Sequence, residues 1–215
     1  MTDTLSPTLA QAAQTLGLSL NDTQLSQLLD YLGLIQKWNK VYNLTAVRDP
    51  QAMLVQHLVD SLSLLPPLRR HAQGRMLRLM DVGSGGGLPG VVLAICQPEL
   101  DVSCVDAVAK KACFIQQVAA ELKLPNLRGI HSRVEALQVP AFDLITSRAF
   151  ASLKDFTDLT RQHLKPDAIW LAMKGQHPAE EIAELPADVE VFHVEPLQVP
   201  GLDAQRCLVW LRLKH

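Results

Sequence analysis

Leu77-Arg78-Leu79-Met80-Asp81-Val82-Gly83-Ser84-Gly85-Gly86-Gly87-Leu88-Pro89-Gly90 is the stretch from which the rest of the chain is read. An apolar run of strand length stops near Asp81, and a cluster of glycines turns the chain. Pro89 then opens the apolar run Val91-Val92-Leu93-Ala94-Ile95-Cys96, which predicts a buried helix. Proline suits a first helical turn, where its missing N–H would have had no partner. Glycines let the backbone take positive φ and approach a ligand closely. The stretch therefore reads as a strand, a glycine loop and a helix around a nucleotide-like cofactor.

Two features narrow the cofactor. The loop runs Gly83-x-Gly85-x-Gly87, and position 88, where a dinucleotide fingerprint has its third glycine, is leucine. The next predicted strand, Val102 to Val105, ends on Asp106, about 20 residues beyond the loop, where a carboxylate reaches ribose hydroxyls. Asp81 before the loop and Asp106 after the second strand form the acid pattern of an S-adenosylmethionine site. That ligand has no pyrophosphate, so the loop need not cradle one.

The 215 residues suit one domain or one domain with an extension, and 48% hydrophobic with 20% charged residues is globular composition. No apolar stretch reaches the ~18 residues of a membrane span, and the polar start with Asp3 is unlike a signal peptide, so the expected location is the cytoplasm. Cys96, Cys104, Cys113 and Cys207 fall in apolar patterns without a Cys-x-x-Cys pair, which predicts buried free thiols and neither zinc nor disulfides. A net charge of −2 makes no general case for nucleic acid. Arg69, Arg70, His71, Arg75 and Arg78 cluster ahead of the loop and read as a solvated face.

Ser6-Pro7 predicts a helix start, followed by Leu9, Ala12, Ala13 and Leu16 at helical spacing. A second helix from Asn21 or Asp22 carries the stripe Leu25, Leu28, Leu29, Leu32, Ile35, Trp38. Asn39 to Arg48 reads as a polar loop. Asp49-Pro50 restarts a helix with Met53, Leu54, His57, Leu58, Ser61, Leu62 and Leu65 on one face, ending at Pro66-Pro67. His57 lies in that stripe and reads first as a core histidine. Residues 1–70 are thus expected to be an N-terminal helical extension, and 71–215 the main domain.

From residue 77 strands and helices alternate. Strands are expected at Leu127–His131, Phe142–Thr146 and Ala168–Met173, with helices over 109–123 and 152–164. Val189–Glu195 and Arg206–Leu213 follow without a helix between them. This pattern predicts an α/β fold, a mostly parallel sheet with helices on both faces and an antiparallel edge. Ligands in such sheets bind beyond the carboxyl ends of the strands, where the loop, Asp106, Val134-Glu135 and Arg148 all fall.

The assembled residues resemble the RsmG (GidB) family of ribosomal RNA small-subunit methyltransferases over nearly the whole chain. The resemblance is carried by Trp38-Asn39-Lys40-Val41-Tyr42-Asn43-Leu44-Thr45 with Arg48-Asp49-Pro50, by His57-Leu58-Val59-Asp60-Ser61-Leu62, by Asp81 to Gly90, by Ser147-Arg148-Ala149-Phe150-Ala151-Ser152, and by Lys174-Gly175. It implies a Rossmann-like class I fold and methyl transfer from S-adenosylmethionine to guanine N7 in 16S ribosomal RNA. It further implies that Gly83, Leu88, Val134, Glu135 and Arg148 contact the cofactor; the residue reading adds Gly85 and Asp106. Arg148 is the expected catalytic residue, holding the cofactor carboxylate, guanine O6 or an RNA phosphate, with pairing to Asp143 as the alternative. The substrate is expected to be an assembling small subunit, the enzyme a monomer, and no metal is called for.

The chemistry agrees with that reading. The sequence has no Asn/Asp-Pro-Pro-Tyr/Phe after the fourth strand for an exocyclic amine, and no Pro-Cys nucleophile for carbon-5 methylation. Guanine N7 is an unprotonated acceptor and needs no general base. A methyltransferase of small metabolites explains the loop and Asp106 equally well but not the helical extension. A nucleotide-binding dehydrogenase fails on Leu88, and a binding module without turnover is the remaining alternative.

Overall fold

The structure, a computed structural model, describes residues 2–148 and 150–214. Helix α1 (Thr2–Thr15) precedes α2 (Asp22–Tyr42). Then α3 (Pro50–Met53) runs through a π-helical turn, Leu54–Val59, into α4 (Asp60–Leu62), followed by α5 (Leu65–Ala72). Beyond them come β1 (Leu77–Val82), α6 (Gly90–Cys96), β2 (Leu100–Asp106), α7 (Ala109–Glu121) and β3 (Leu127–His131). The chain ends with β4 (Phe142–Ser147), α8 (Leu153–Thr160), β5 (Leu164–Lys174), α9 (Ala179–Ala183), β6 (Val189–Pro196) and β7 (Cys207–Leu213).

The strands form one sheet in the order β3-β2-β1-β4-β5-β7-β6, parallel except that β7 runs antiparallel to both β5 and β6. The expected fold class is therefore found, including the antiparallel edge. Alternation along the strands sends Leu79, Cys104, Leu144 and Leu171 into one apolar layer and Met80, Val105, Ile145 and Trp170 into the other. The first layer also takes Leu28, Tyr31, Leu32 and Ile35 of α2 and Leu54, Leu58 and Leu62. The strand order reverses between β1 and β4, and at such a switch point a ligand crevice opens.

Five local expectations need correction. First, α1 begins at Thr2, ahead of Ser6-Pro7, so Pro7 lies within the helix; that near the N-terminus it forfeits one backbone bond and leaves the later turns intact. Second, α2 continues through Tyr42 and stops at Asn43 with φ 48°. Asn39 is buried inside the helix, where its Oδ1 accepts from the Thr45 N–H at 3.0 Å. Arg48 donates to the Asn39 carbonyl at 3.0 Å and to Asn43 Oδ1 at 2.8 Å, so the polar residues fold the 43–49 connection back on the helix. Third, Pro66-Pro67 sit in the first turn of α5, where proline is tolerated, rather than closing the helix before it.

Fourth, the arginine cluster is not one solvated face. Arg69 donates to Gln97 and to the Cys96 carbonyl, Arg70 pairs with Glu195, and Arg78 donates to the carbonyls of Pro140 and Ala141. Arg69 thus ties α5 to the end of α6, Arg70 ties α5 to β6, and Arg78 ties β1 to the connection before β4. Fifth, Cys113 is exposed while the other three cysteines are buried.

Candidate active site

Each strand of the parallel half delivers its last residues to one rim. Asp81, next to last in β1, is fully buried, and its Oδ2 accepts the Gly90 N–H at 2.8 Å. This bond clamps the start of α6 onto the strand. A Cβ at Gly90 would lie 2.4 Å from Cys104 Sγ and 2.9 Å from Asp81 Oδ2. Gly90 thus does the close helix–strand packing for which a dinucleotide fingerprint uses its third glycine, two positions beyond Leu88. Burial pushes the Asp81 carboxyl up to about 7.

Asp106, buried at the end of β2, accepts from the Gly85 N–H at 2.9 Å through Oδ2 and from the Val108 N–H at 2.8 Å through Oδ1. The first bond fixes the glycine loop; the second fixes the turn into α7. Lys111 Nζ also lies 3.7 Å from Oδ2, and each carboxylate oxygen has a second lone pair that can take a ligand hydroxyl. Gly83, at φ +64°, lies under Phe150, whose Cδ2 would be 2.5 Å from a Cβ at that position. From the N-terminal side, fully buried Tyr31 donates its hydroxyl to the Gly86 carbonyl at 2.6 Å. Burial holds that phenol well above its ordinary pKa, so it remains an O–H donor.

Two cavities open on either side of the loop and share Gly83. The larger, about 360 Å³, is lined by Val82, Gly83, Asp106, Val134, Glu135 and Phe150 among others. The smaller, about 160 Å³, lies between the loop and the N-terminal helices, with Gly83, Gly85, Leu88 and Arg148 facing Thr45 and His57. All seven site residues expected from sequence therefore line one cavity or the other. Val134 is buried and Glu135 exposed on the one-turn helix Val134–Ala136, and the Val134 carbonyl bonds the His163 ring at 2.7 Å.

Arg148 does not pair with Asp143, which holds Lys165 instead. Its Nη1 donates to the Gln56 carbonyl at 2.7 Å and to Asp60 Oδ2 at 2.9 Å. It borders a third cleft, about 380 Å³, with His57, Asp60, Lys174 and Arg206. His57 shares a 2.8 Å hydrogen bond with the Thr45 hydroxyl, and burial followed by the nearby Arg148 charge lowers its pKa, which favours the neutral ring.

Sequence alone does not single out Tyr31, Thr45, Asp60, Phe150 or Arg206 as site residues. Tyr31 falls between the stripe positions of α2 and gives no signal. Thr45, Asp60 and Phe150 stand inside the quoted motifs, which is the one available pointer. Ala149, in the same motif as Phe150, lies outside the described residues.

The sheet order, the clamped glycine loop and the carboxylate ending β2 define a Rossmann-like class I methyltransferase. Solved structures agree on the fold: "SAM dependent methyltransferase from Aquifex aeolicus" superposes with TM-score 0.59 over 80% of this chain and 97% of that one, at 16% identity. TrmN from Thermus thermophilus gives 0.57 over 75% of this chain and 53% of that one, at 19% identity. The profile of the family described as GidB, rRNA small subunit methyltransferase G, matches residues 24–209, and the chain belongs to that family. Proteins named ribosomal RNA small subunit methyltransferase G are 65% identical over 212 residues in Acidovorax ebreus, covering 95% of this chain and 93% of theirs. In Methylibium petroleiphilum the identity is 59% over 206 residues, covering 96% and 93%.

S-adenosylmethionine is the cofactor of this family and fold, and the residues fit it. The larger cavity offers an apolar wall in Val134 and Phe150, a carboxylate with lone pairs to spare, and a glycine face that a side chain would block.

Proposed function

We propose that the chain transfers a methyl group from S-adenosylmethionine to N7 of a guanine in 16S ribosomal RNA, acting as a monomer on an assembling small subunit in the cytoplasm. The observation that carries the reading is the pair of cavities meeting at Gly83, one suited to the adenosine half of the cofactor and one open toward the N-terminal helices. Residues 1–70 then act as a helical extension that completes the acceptor side, contributing Tyr31, Thr45, His57 and Asp60 around a main domain over 71–215.

When bound, the cofactor supplies an electrophilic methyl group on a sulfonium. Asp106 would accept from the ribose hydroxyls while its bonds to the Gly85 and Val108 N–H groups hold it still. Glu135 and the backbone beside Val134 would meet the adenine edge, and Leu88 and Gly85 would bound the methionine end. Guanine N7 would take the methyl on its lone pair as the S–CH3 bond breaks to leave a neutral thioether, and no proton is lost, so the chain's task is alignment, which supplies roughly 7–11 kcal/mol where geometry is right. Methylation makes the guanine cationic, so a bare guanidinium beside N7 would oppose the reaction. Asp60 offsets the Arg148 charge and turns one arm of its fork away. The remaining arm is left for the cofactor carboxylate, guanine O6 or a phosphate.

The test is methyl transfer from labelled cofactor to small subunits from cells lacking this protein, followed by mapping of the modified base. A single N7-methylguanine in 16S RNA is expected. Label in a metabolite extract and none in the subunit overturns the reading.

A further inference from the structure

Val41, Tyr42 and Val108 expose 70%, 40% and 39% of their surface. They are three of the five large apolar side chains so exposed among the described residues, and they sit at two elements that border the site. Ile35, Trp38 and Tyr42 fall at positions i, i+3 and i+7 of α2, on one helical face. Ile35 lines the smaller cavity. Trp38 packs on Phe114 of α7 at 5.2 Å between ring centroids, and Tyr42 packs on Trp38 at 4.9 Å. From the other side Asp106 and Ala107 line the larger cavity, Val108 precedes α7, and Lys110 places its ammonium 5.9 Å from the Tyr42 ring centre. Two elements that border the cavities thus expose apolar side chains, and one of these is an aromatic ring backed by two others.

The charged residues on the two segments beside this ring are cations, of which Lys111 pairs with Asp106 at 3.7 Å. Residues 37–48 contain Lys37, Lys40 and Arg48 and no acid, and residues 107–117 contain Lys110 and Lys111 and no acid, in a chain whose net charge is −2. Lys40, Arg48 and Lys110 are exposed. Exposed aromatic rings among cations are what single-stranded nucleic acid requires: bases stack on the ring, and phosphates follow the positive charge. A membrane surface would call for a broader apolar face than Val41 and Tyr42 give α2, and an acidic peptide needs the cations but no stacking ring.

We propose that this surface docks single-stranded ribosomal RNA next to the modified guanine, with a base stacked on Tyr42 and the flanking phosphates held by Lys40 and Lys110. The assignment rests on the ribosomal RNA reading above and adds where the strand enters. It also gives the exposed Val41–Tyr42 end of α2 a purpose beyond covering Trp38.

The experiment compares wild type with Tyr42→Ala, Tyr42→Phe and the double variant Lys40→Ala/Lys110→Ala, using small subunits from cells lacking the protein as substrate. Stacking on an aromatic ring is sequence-tolerant and strong enough that its loss raises KM for subunits at least about fivefold. Tyr42→Phe keeps the ring and stays within about twofold of wild type. The lysine pair raises KM and flattens its dependence on salt, because each phosphate contact contributes to the salt slope. Cofactor affinity, read by calorimetry without RNA, stays unchanged in all three. A Tyr42→Ala protein that methylates subunits with wild-type KM overturns the docking surface while leaving the function standing, as does a dimer in solution that buries Tyr42. A wild-type protein that binds cofactor but methylates no subunit overturns the function itself.

Discussion

Arg148 at the end of β4 and Asp60 on the N-terminal helices form a 2.9 Å ion pair beside the glycine loop, and the other oxygen of Asp60 accepts from Arg206 Nε at 2.8 Å. One carboxylate, 2% exposed, therefore joins the extension, the middle of the sheet and the start of β7. Arg148 and Arg206 are each about a quarter exposed, so solvent screens their side of the pairs. Asp60→Asn leaves two guanidiniums facing a neutral amide. Breaking a buried pair in this way costs up to about 3–5 kcal/mol, less here for the screening. The expected outcome is a melting temperature several degrees lower and methylation of subunits at least about tenfold slower. Unchanged turnover would mean that Arg148 needs no anchor.

Arg148→Lys separates charge from geometry. Both contacts of Arg148 come from Nη1, and lysine can replace that single point but not the rest of the fork. Turnover is expected to fall strongly while the melting temperature barely moves. Initial rates on subunits at saturating cofactor check this, and equal rates for the two proteins would show that the planar fork is not needed.

Asp106→Ala removes the acceptor of two backbone N–H groups as well as the expected ribose contacts. Hydrogen bonds to charged groups contribute about 1.5–3 kcal/mol each. Calorimetry should show cofactor affinity at least about tenfold weaker. Wild-type affinity would remove Asp106 from the site.

Tyr31→Phe deletes one buried hydroxyl and leaves the Gly86 carbonyl without its 2.6 Å partner. Gly86 is half-buried and lines the smaller cavity, so the loss is that of an ordinary hydrogen bond, about 0.5–1.5 kcal/mol. The hydroxyl braces the loop from the side of the extension, so cofactor affinity should drop severalfold along with a modest loss of melting temperature. Loss of stability with unaltered affinity would show that the hydroxyl serves packing alone.

What can be read from sequence is what local pattern dictates. Strand alternation, the glycine loop and the acid ending β2 are each set by neighbours in the chain, and the structure has them where they are expected. The partner of Arg148 is not legible, because Asp60 lies 88 residues earlier and the nearer Asp143 is taken by Lys165. Tyr31 is hidden for the same reason: its role depends on which face of α2 meets the loop. The polar stretch from Asn39 reads as loop because polarity suggests solvent exposure, whereas Asn39 spends it on the Thr45 and Val47 backbone. The prolines mislead at Pro66-Pro67, since a proline in a first turn and a proline after a last turn look alike in sequence.

Asp81 makes stability depend on pH in a direction opposite to that of a surface carboxylate. It is fully buried, its Oδ2 is held by the Gly90 N–H, and its Oδ1 has no hydrogen-bond partner among the described residues. Burial is the largest influence and raises its pKa to about 7; the Gly90 N–H and then Arg148 pull it down, and Asp106 pushes it up. A pKa raised on folding means that the folded state holds the proton more tightly than the unfolded chain. The stability this contributes is complete below the unfolded value, about 3.9, and is lost as pH climbs through about 7. Asp81→Asn cannot titrate, and its amide oxygen can still accept from Gly90. Relative to the variant, the wild type should therefore lose stability steadily from about pH 4 to about pH 7, at up to about 1.4 kcal/mol per pH unit. Above about pH 7 the two curves should run parallel. Melting temperatures of both proteins across roughly pH 4–8, without cofactor, test this directly, and curves that stay parallel over the whole range would show that Asp81 is already ionised in the folded protein at low pH.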